Sequence, residues 1–227
     1  MEQRRIDLLD GARSLMLILM TIYHFLYDLA LFGVITWEEL YAPPSSLFQI
    51  ISSTGFILLA GVSSRLSRSN LKRGLLVWGA ALLVTAGSYV VDAPIRFGIL
   101  HFLGSAMILY HFVNRFVRKV PAGVVVAACA VLYLVTDRWT ERLTELPFLF
   151  PIGFTTAHFT SADYYPLLPH FFLFLIGTML GGALLARRAE VAAVRLPPAA
   201  TWLGRHSLFL YLIHQPILYG LCTLIWG

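Results

Sequence analysis

Arg13, His24 and Asp28 share one apolar run, RSLMLILMTIYHFLYD, from residue 13 to residue 28. Ionisable side chains are costly inside a membrane-length helix, so residues that persist there are candidates for function. Eleven positions separate Arg13 from His24. At about 100° per residue that is roughly three turns, so both lie on one side of a helix, about 16 Å apart along its axis. Asp28 follows His24 by four residues, on the same face and within reach of its ring. A histidine with a carboxylate one turn away is equipped for general base catalysis, because the carboxylate fixes the tautomer and stabilises the imidazolium. The same pair could relay protons in a transporter or flippase. Arg13 distinguishes the two uses. A guanidinium three turns from the histidine suits an anionic, phosphate-bearing ligand, unless Arg13 only anchors the helix and pairs with Asp10.

The bland reading stands beside this one. A histidine in a helix bundle is often a hydrogen-bonded packing residue, and short motifs arise by chance. Arg195 and His206 repeat the spacing, but Pro197 and Pro198 lie between them and bar a continuous helix. No histidine or cysteine spacing fits a metal site, and no metal is expected. No phosphate-cradling glycine loop and no Gly-x-Ser-x-Gly elbow is present.

The elements that must position these residues follow from composition. The 227 residues are 58% hydrophobic and 13% charged; a soluble domain has about 25% charged residues. Apolar stretches recur along the whole length, so the chain is expected to be an all-α, multi-pass membrane protein in a single domain, 1–227. Seven spans are expected, at about 12–35, 46–64, 73–91, 98–116, 120–136, 166–186 and 202–226. Of the 17 Lys and Arg, all but Arg96, Arg138 and Arg142 then fall on one side. Loop cations favour the cytoplasm, so the N-terminus is expected inside, the C-terminus outside and Arg13 at the cytoplasmic end of its helix. The net charge of +5 therefore needs no nucleic-acid partner. Cys129 and Cys222 fall inside apolar spans and read as small core residues. The first run is long and carries His24 and Asp28, unlike a cleaved signal.

Other features fill in the bundle. Trp37 and Tyr41 mark a membrane interface in the first outer loop. Gly55, Gly61 and the pair Gly177-x-x-x-Gly181 mark close helix packing. His101 and His111, ten positions apart, face different ways and cannot form one site alone. The segment from 137 to 165 is long and aromatic, either an interfacial cap with a short amphipathic helix at 137–146 or an acceptor-binding lid. The last span, about 202–226, reads as one helix with His214 in its middle and a kink at Pro216.

Arg13-x10-His24 resembles the first-helix signature of integral-membrane acyltransferases that modify sugars and cell-surface polymers. The run Arg5-Ile6-Asp7-Leu8-Leu9-Asp10-Gly11-Ala12-Arg13 resembles the opening of that family. The likeness continues through Gly61-Val62-Ser63-Ser64, Gly98-Ile99-Leu100-His101, Asp163-Tyr164-Tyr165-Pro166-Leu167-Leu168-Pro169 and Tyr211-Leu212-Ile213-His214-Gln215-Pro216. Together they resemble the small bacterial branch of the heparan-α-glucosaminide N-acetyltransferase catalytic-domain family. The resemblance implies a bacterial inner-membrane enzyme. It would move an acyl group, acetyl first among them, from cytoplasmic acyl-CoA to a sugar, polymer or other hydroxyl or amine acceptor. It implies that Arg13 holds CoA phosphates and that His24 acts as the base, with Asp28 orienting it. Asp10, His101, Asp163, His170 and His214 are further candidates. The first outer loop holds no histidine, which favours direct transfer over an acyl-enzyme. Membrane lipid is the expected environment, and both a monomer and a homodimer stay open.

Overall fold

The computed structural model describes residues 6–140 and 143–227. Arg4, Arg5 and Arg142, which entered the charge pattern, lie outside the described residues, as do two positions of the expected helix at 137–146.

Helix α1 spans Asp7–Leu31, α2 Trp37–Tyr41, α3 Ser45–Leu66, α4 Asn70–Val90 and α5 Ile99–Val117. Helix α6 spans Ala122–Thr140, followed by a single 3-10 turn at Pro147–Leu149. Helix α7 spans Leu167–Ala186, α8 Arg188–Ala193, α9 Pro198–Arg205 and α10 Ser207–Trp226. Among the described residues there is no β-strand, so the chain is an all-α membrane protein, as its composition implies. Among the described residues six helices, α1, α3, α4, α6, α7 and α10, are long and apolar enough to cross a membrane. Large apolar side chains stand exposed along them, Leu83 at 67% and Leu224 at 83% among them. In water that surface would be a liability, whereas hydrocarbon solvates it.

The seventh expected span is helix α5, and it is less apolar because it faces protein. Phe102, Ala106 and Tyr110 are fully buried and His101 nearly so. His101 and Ser105 therefore meet protein partners, Thr85 and Trp78, while His111 and Arg115 near its other end are exposed.

Two differences from the sequence reading matter for function. Helix α1 starts at Asp7, more than a turn before residue 12, so Asp7 and Asp10 are helical and buried. The last span is not one helix over 202–226. His206 leaves helical geometry (φ −106°, ψ 17°), ending α9 and starting α10. Pro197 precedes α9, so Arg195 and His206 do not share a helix, as their intervening prolines require. Helix α10 runs through Pro216 unbroken.

The chain divides into two compact units, residues 1–56 with 187–227, and residues 57–186. In the first, α1 ends at Gly33, whose positive φ of 72° lets Val34 N–H reach back to the Leu29 carbonyl at 2.8 Å. Thr36 and Glu39 then form a reciprocal capping box that starts α2. The Thr36 N–H and hydroxyl hold the Glu39 carboxyl below its ordinary range. Leu40 of α2 is fully buried against Tyr23 and Ala30 of α1.

In the second unit, small residues let backbones touch, as the glycine spacing predicts. A side chain at Gly61 would meet the Phe174 carbonyl, one at Gly177 the Leu58 carbonyl, and one at Gly181 the Val62 carbonyl. Gly74 and Gly104 play the same part between α4 and α5, where Trp78 Nε1 donates to Ser105 Oγ at 2.8 Å.

Candidate functional site

In the first unit α1 runs parallel to α9 and α10 at a constant offset. Ser14 Oγ accepts the Gly204 N–H at 2.8 Å, 190 positions along the chain. One 15 Å rise later, by helix geometry, His24 meets His214 at the same offset of 190. His24 Nδ1 and His214 Nε2 lie 3.2 Å apart, with ring centroids 4.9 Å apart.

The tautomers follow from the partners. His214 Nδ1 lies 2.6 Å from the Tyr211 carbonyl, which can only accept, so His214 Nδ1 carries the proton. Its Nε2 is then an acceptor facing His24 Nδ1; the Met20 backbone also hydrogen-bonds the His24 ring, and a proton on Nδ1 suits the His214 contact. Neutral His24 is left with an unprotonated Nε2, the nitrogen a general base uses. Both rings are half-buried.

Asp28 sits elsewhere than expected. Its carboxylate is fully buried and its Oδ1 accepts from Gln215 Nε2 at 2.7 Å. The side chain at hydrogen-bond distance from the His24 ring is His214, one residue before Gln215, whereas the carboxylate at i+4 contacts Gln215. Asp28 Oδ2 and Gln215 Oε1 are buried acceptors without a hydrogen-bond partner among the described residues. Gln215 escaped the sequence reading because an amide between a histidine and a proline carries no charge signal.

At the start of α1 stands a charge cluster. Arg13 Nη1 bonds Asp10 Oδ1 at 2.6 Å. Arg205 approaches Asp7 Oδ1 at 3.4 Å and Asp10 Oδ2 at 3.5 Å, and Arg195 approaches Asp7 Oδ2 at 3.6 Å. Ser14 Oγ donates to the Asp10 carbonyl at 3.1 Å. Both carboxylates are buried while Arg195 and Arg205 are largely exposed, so the cations cover the acids. Among the described residues three guanidiniums meet two carboxylates here, and guanidiniums are also the groups that hold phosphates. Arg195 and Arg205 were read only as loop cations. The signal for their role was the pair of acids inside an apolar helix, which need cations from somewhere.

The second unit gathers other candidates. Asp163 Oδ2 accepts the Ile99 N–H at 2.9 Å, capping α5 across 64 positions of chain. Tyr165 N–H donates to the Phe97 carbonyl at 2.9 Å, and Ala162 N–H to the Pro94 carbonyl at 3.1 Å. Two motifs far apart in the chain, around Gly98 and Asp163, are thus one structural piece. Gly98 has no side chain because a Cβ there would strike the Asp163 carboxylate. Burial pushes the Asp163 carboxyl up to about 6, against the pull of the Ile99 N–H, and pushes the Tyr164 phenol up to about 12.

His101, two residues into α5, lies 3.3 Å from the Thr85 hydroxyl. That hydroxyl donates to the Ile95 carbonyl at 2.8 Å, so it accepts from His101 Nε2. Trp78 meets the ring by its edge and Phe97 stacks on it. His170 Nδ1 lies 3.1 Å from the Pro166 carbonyl, among the rings of Tyr165, Phe102 and Tyr133. These contacts give His101, Asp163 and His170 structural work. His24 and His214 share one unit with Arg13, Asp10 and Asp28.

No curated protein and no solved structure matches the chain. A family profile does, that described as "Heparan-alpha-glucosaminide N-acetyltransferase, catalytic", over residues 5–216. The match begins ahead of the Asp7–Asp10 cluster and ends just past the His24–His214 and Asp28–Gln215 pairs, so it takes in every residue of both assemblies. The chain belongs to this family of membrane-embedded acetyltransferases.

Proposed function

We propose that the protein transfers an acyl group, acetyl first among them, from acyl-CoA to a hydroxyl or amine acceptor, with His24 as the general base. The observation that carries this is the His24–His214 contact, which leaves His24 Nε2 free to take a proton. In the reaction the acceptor O–H or N–H gives its proton to His24 Nε2 as its lone pair attacks the thioester carbonyl. The C–S bond then breaks, and the departing thiolate takes up a proton. The His214 Nε2 lone pair holds the His24 Nδ1 proton and stabilises the imidazolium as it forms.

The two unpartnered acceptors, Asp28 Oδ2 and Gln215 Oε1, support a substrate rich in O–H or N–H donors, as a sugar is. The guanidiniums gathered at Arg13, Arg195 and Arg205 support a phosphate-bearing donor such as acyl-CoA. The loop cations support a cytoplasmic N-terminus, which would bring the donor from that side of the bacterial inner membrane.

The test is thioester cleavage of acetyl-CoA by purified protein in nanodiscs, with amino sugars and polyols offered as acceptors. Wild type releases CoA in an acceptor-dependent way, and His24→Ala loses about 100- to 10,000-fold in rate while remaining assembled. Near-normal turnover in an assembled His24→Ala protein rules out His24 as the base. Proton flux without any thioester cleavage would make the protein a transporter instead.

A further inference from the structure

At one end of the second unit lies a cavity of about 320 Å³. It is bounded by Arg65 at the end of α3, Val117 and Arg118 at the end of α5, Val120 in the link beyond, and Met179 and Gly182 of α7. Nothing in the catalytic proposal uses it.

Arg65 is its unusual member. Its Nε and Nη1 are buried and have no hydrogen-bond partner among the described residues. A buried charged donor without an acceptor is costly, and native structures keep such groups only where something else answers them. Arg118 does not answer it, because it is itself a cation. Its Nη2 donates to the Arg65 backbone carbonyl at 3.4 Å, which brings the two arginines to the same place.

Among the described residues no carboxylate of this unit pairs with Arg65 either. Arg65, Arg68, Lys72 and Arg73 flank the α3–α4 link, and Arg115, Arg118 and Lys119 the α5–α6 link, with no acid among them. The acids of residues 57–186 are Asp92, Asp137, Glu141, Glu145 and Asp163, in or beside the α4–α5 and α6–α7 connections. Those connections join the opposite ends of the helices. No described acid of this unit therefore answers the two unpartnered nitrogens of Arg65.

Space has been left for one. Gly182 carries no side chain where a Cβ would stand 3.5 Å from Arg65 Nε. The rest of the lining, Val117, Val120 and Met179, is apolar.

We propose that this cavity is an anion site for a phosphate group borne on an apolar or extended body, with Arg65 and Arg118 as its ligands. A planar guanidinium matches phosphate oxygens by paired N–H donors. Two molecules carry this chemistry here: an anionic phospholipid, whose chain would run along the apolar lining, or a soluble phosphate compound. The apolar lining favours the lipid. All of its lining residues belong to the second unit, and the proposal does not depend on the acyltransferase reading.

The test uses the full chain in nanodiscs of phosphatidylcholine alone, of phosphatidylcholine with phosphatidylglycerol, and of phosphatidylcholine alone with CoA or inorganic phosphate. Thermal unfolding and lipid retention in native mass spectrometry are read for wild type, Arg65→Gln and Ala183→Leu. Ala183 lies at the exposed mouth of the cavity, so leucine there narrows it while keeping both arginines. Wild type should retain phosphatidylglycerol and gain thermal stability from it, and each variant should retain about tenfold less or weaker still. A response to CoA or phosphate that both variants lose assigns the site to a soluble phosphate. Where Arg65→Gln fails to assemble, Ala183→Leu carries the comparison. Equal responses in wild type and an assembled variant, or no response in any arm, overturn the proposal.

Discussion

His24 Nδ1 and His214 Nε2 lie 3.2 Å apart, and that distance joins the first long helix to the last. The partner of the candidate base is thus a second imidazole and not a carboxylate, which changes what its mutants should do.

His214→Ala should lower kcat less than His24→Ala does, because the base remains but its tautomer is no longer held. KM for the donor should stay near the wild-type value, and the pH profile of kcat should shift as the Nδ1 proton loses its acceptor. His214→Gln, whose amide oxygen can accept that proton, should recover part of the rate. A His214→Ala enzyme with wild-type kcat and pH profile would show that the contact is packing alone.

Asp28 separates orientation from support. Asp28→Asn retains an oxygen for Gln215 Nε2, so the protein should assemble and keep far more activity than His24→Ala. Asp28→Leu leaves the buried Gln215 amide without its acceptor, at a cost of about 1–3 kcal/mol. Thermal unfolding in detergent reads the difference. Loss of activity in Asp28→Asn as deep as in His24→Ala would restore Asp28 to the base machinery.

Arg13 should act on donor binding. Arg13→Ala should weaken CoA binding by calorimetry, Arg13→Lys should be intermediate because an ammonium lacks the paired donors, and His24→Ala should bind nearly as wild type. Equal CoA affinity in wild type and Arg13→Ala would reduce Arg13 to a structural partner of Asp10.

Asp163 predicts a pH dependence of stability. Its folded carboxyl titrates near 6, above the ordinary value of 3.8, so folding favours the protonated form. That contribution is full below about pH 3.8 and is lost as pH rises through about 6. Wild type should therefore lose thermal stability relative to Asp163→Asn between pH 4 and pH 7, since the amide does not titrate. Parallel pH curves for the two proteins would show that the carboxyl is not held neutral.

The spans were legible because lipid imposes a length and a polarity on each helix, and α1, α3, α4, α6 and α7 stand close to where apolar runs put them. His24 and Arg13 were legible because their charge is out of place in such a run. The His24–His214 pair was not, since spacing within one helix ranks Asp28, at i+4, above any partner 190 positions away. The break at His206 falls in the polar run Gly204-Arg205-His206-Ser207, a signal too short to separate from the end of one continuous span. Arg195 and Arg205 were visible as loop cations, and only the helical start at Asp7 turned them into partners.

The shared offset at Ser14–Gly204 and His24–His214 makes the chain a ruler with two marks. One residue inserted into α1 between the marks would turn everything beyond it by about 100° and lift it about 1.5 Å. His24 and Asp28 would lose both partners in one step while Ser14 still held Gly204. Gly204 itself touches the Asp10 backbone so closely that any side chain must push the two helices apart. A methyl group added there, some 15 Å from the imidazoles by helix rise, would thus detune a reaction it never touches.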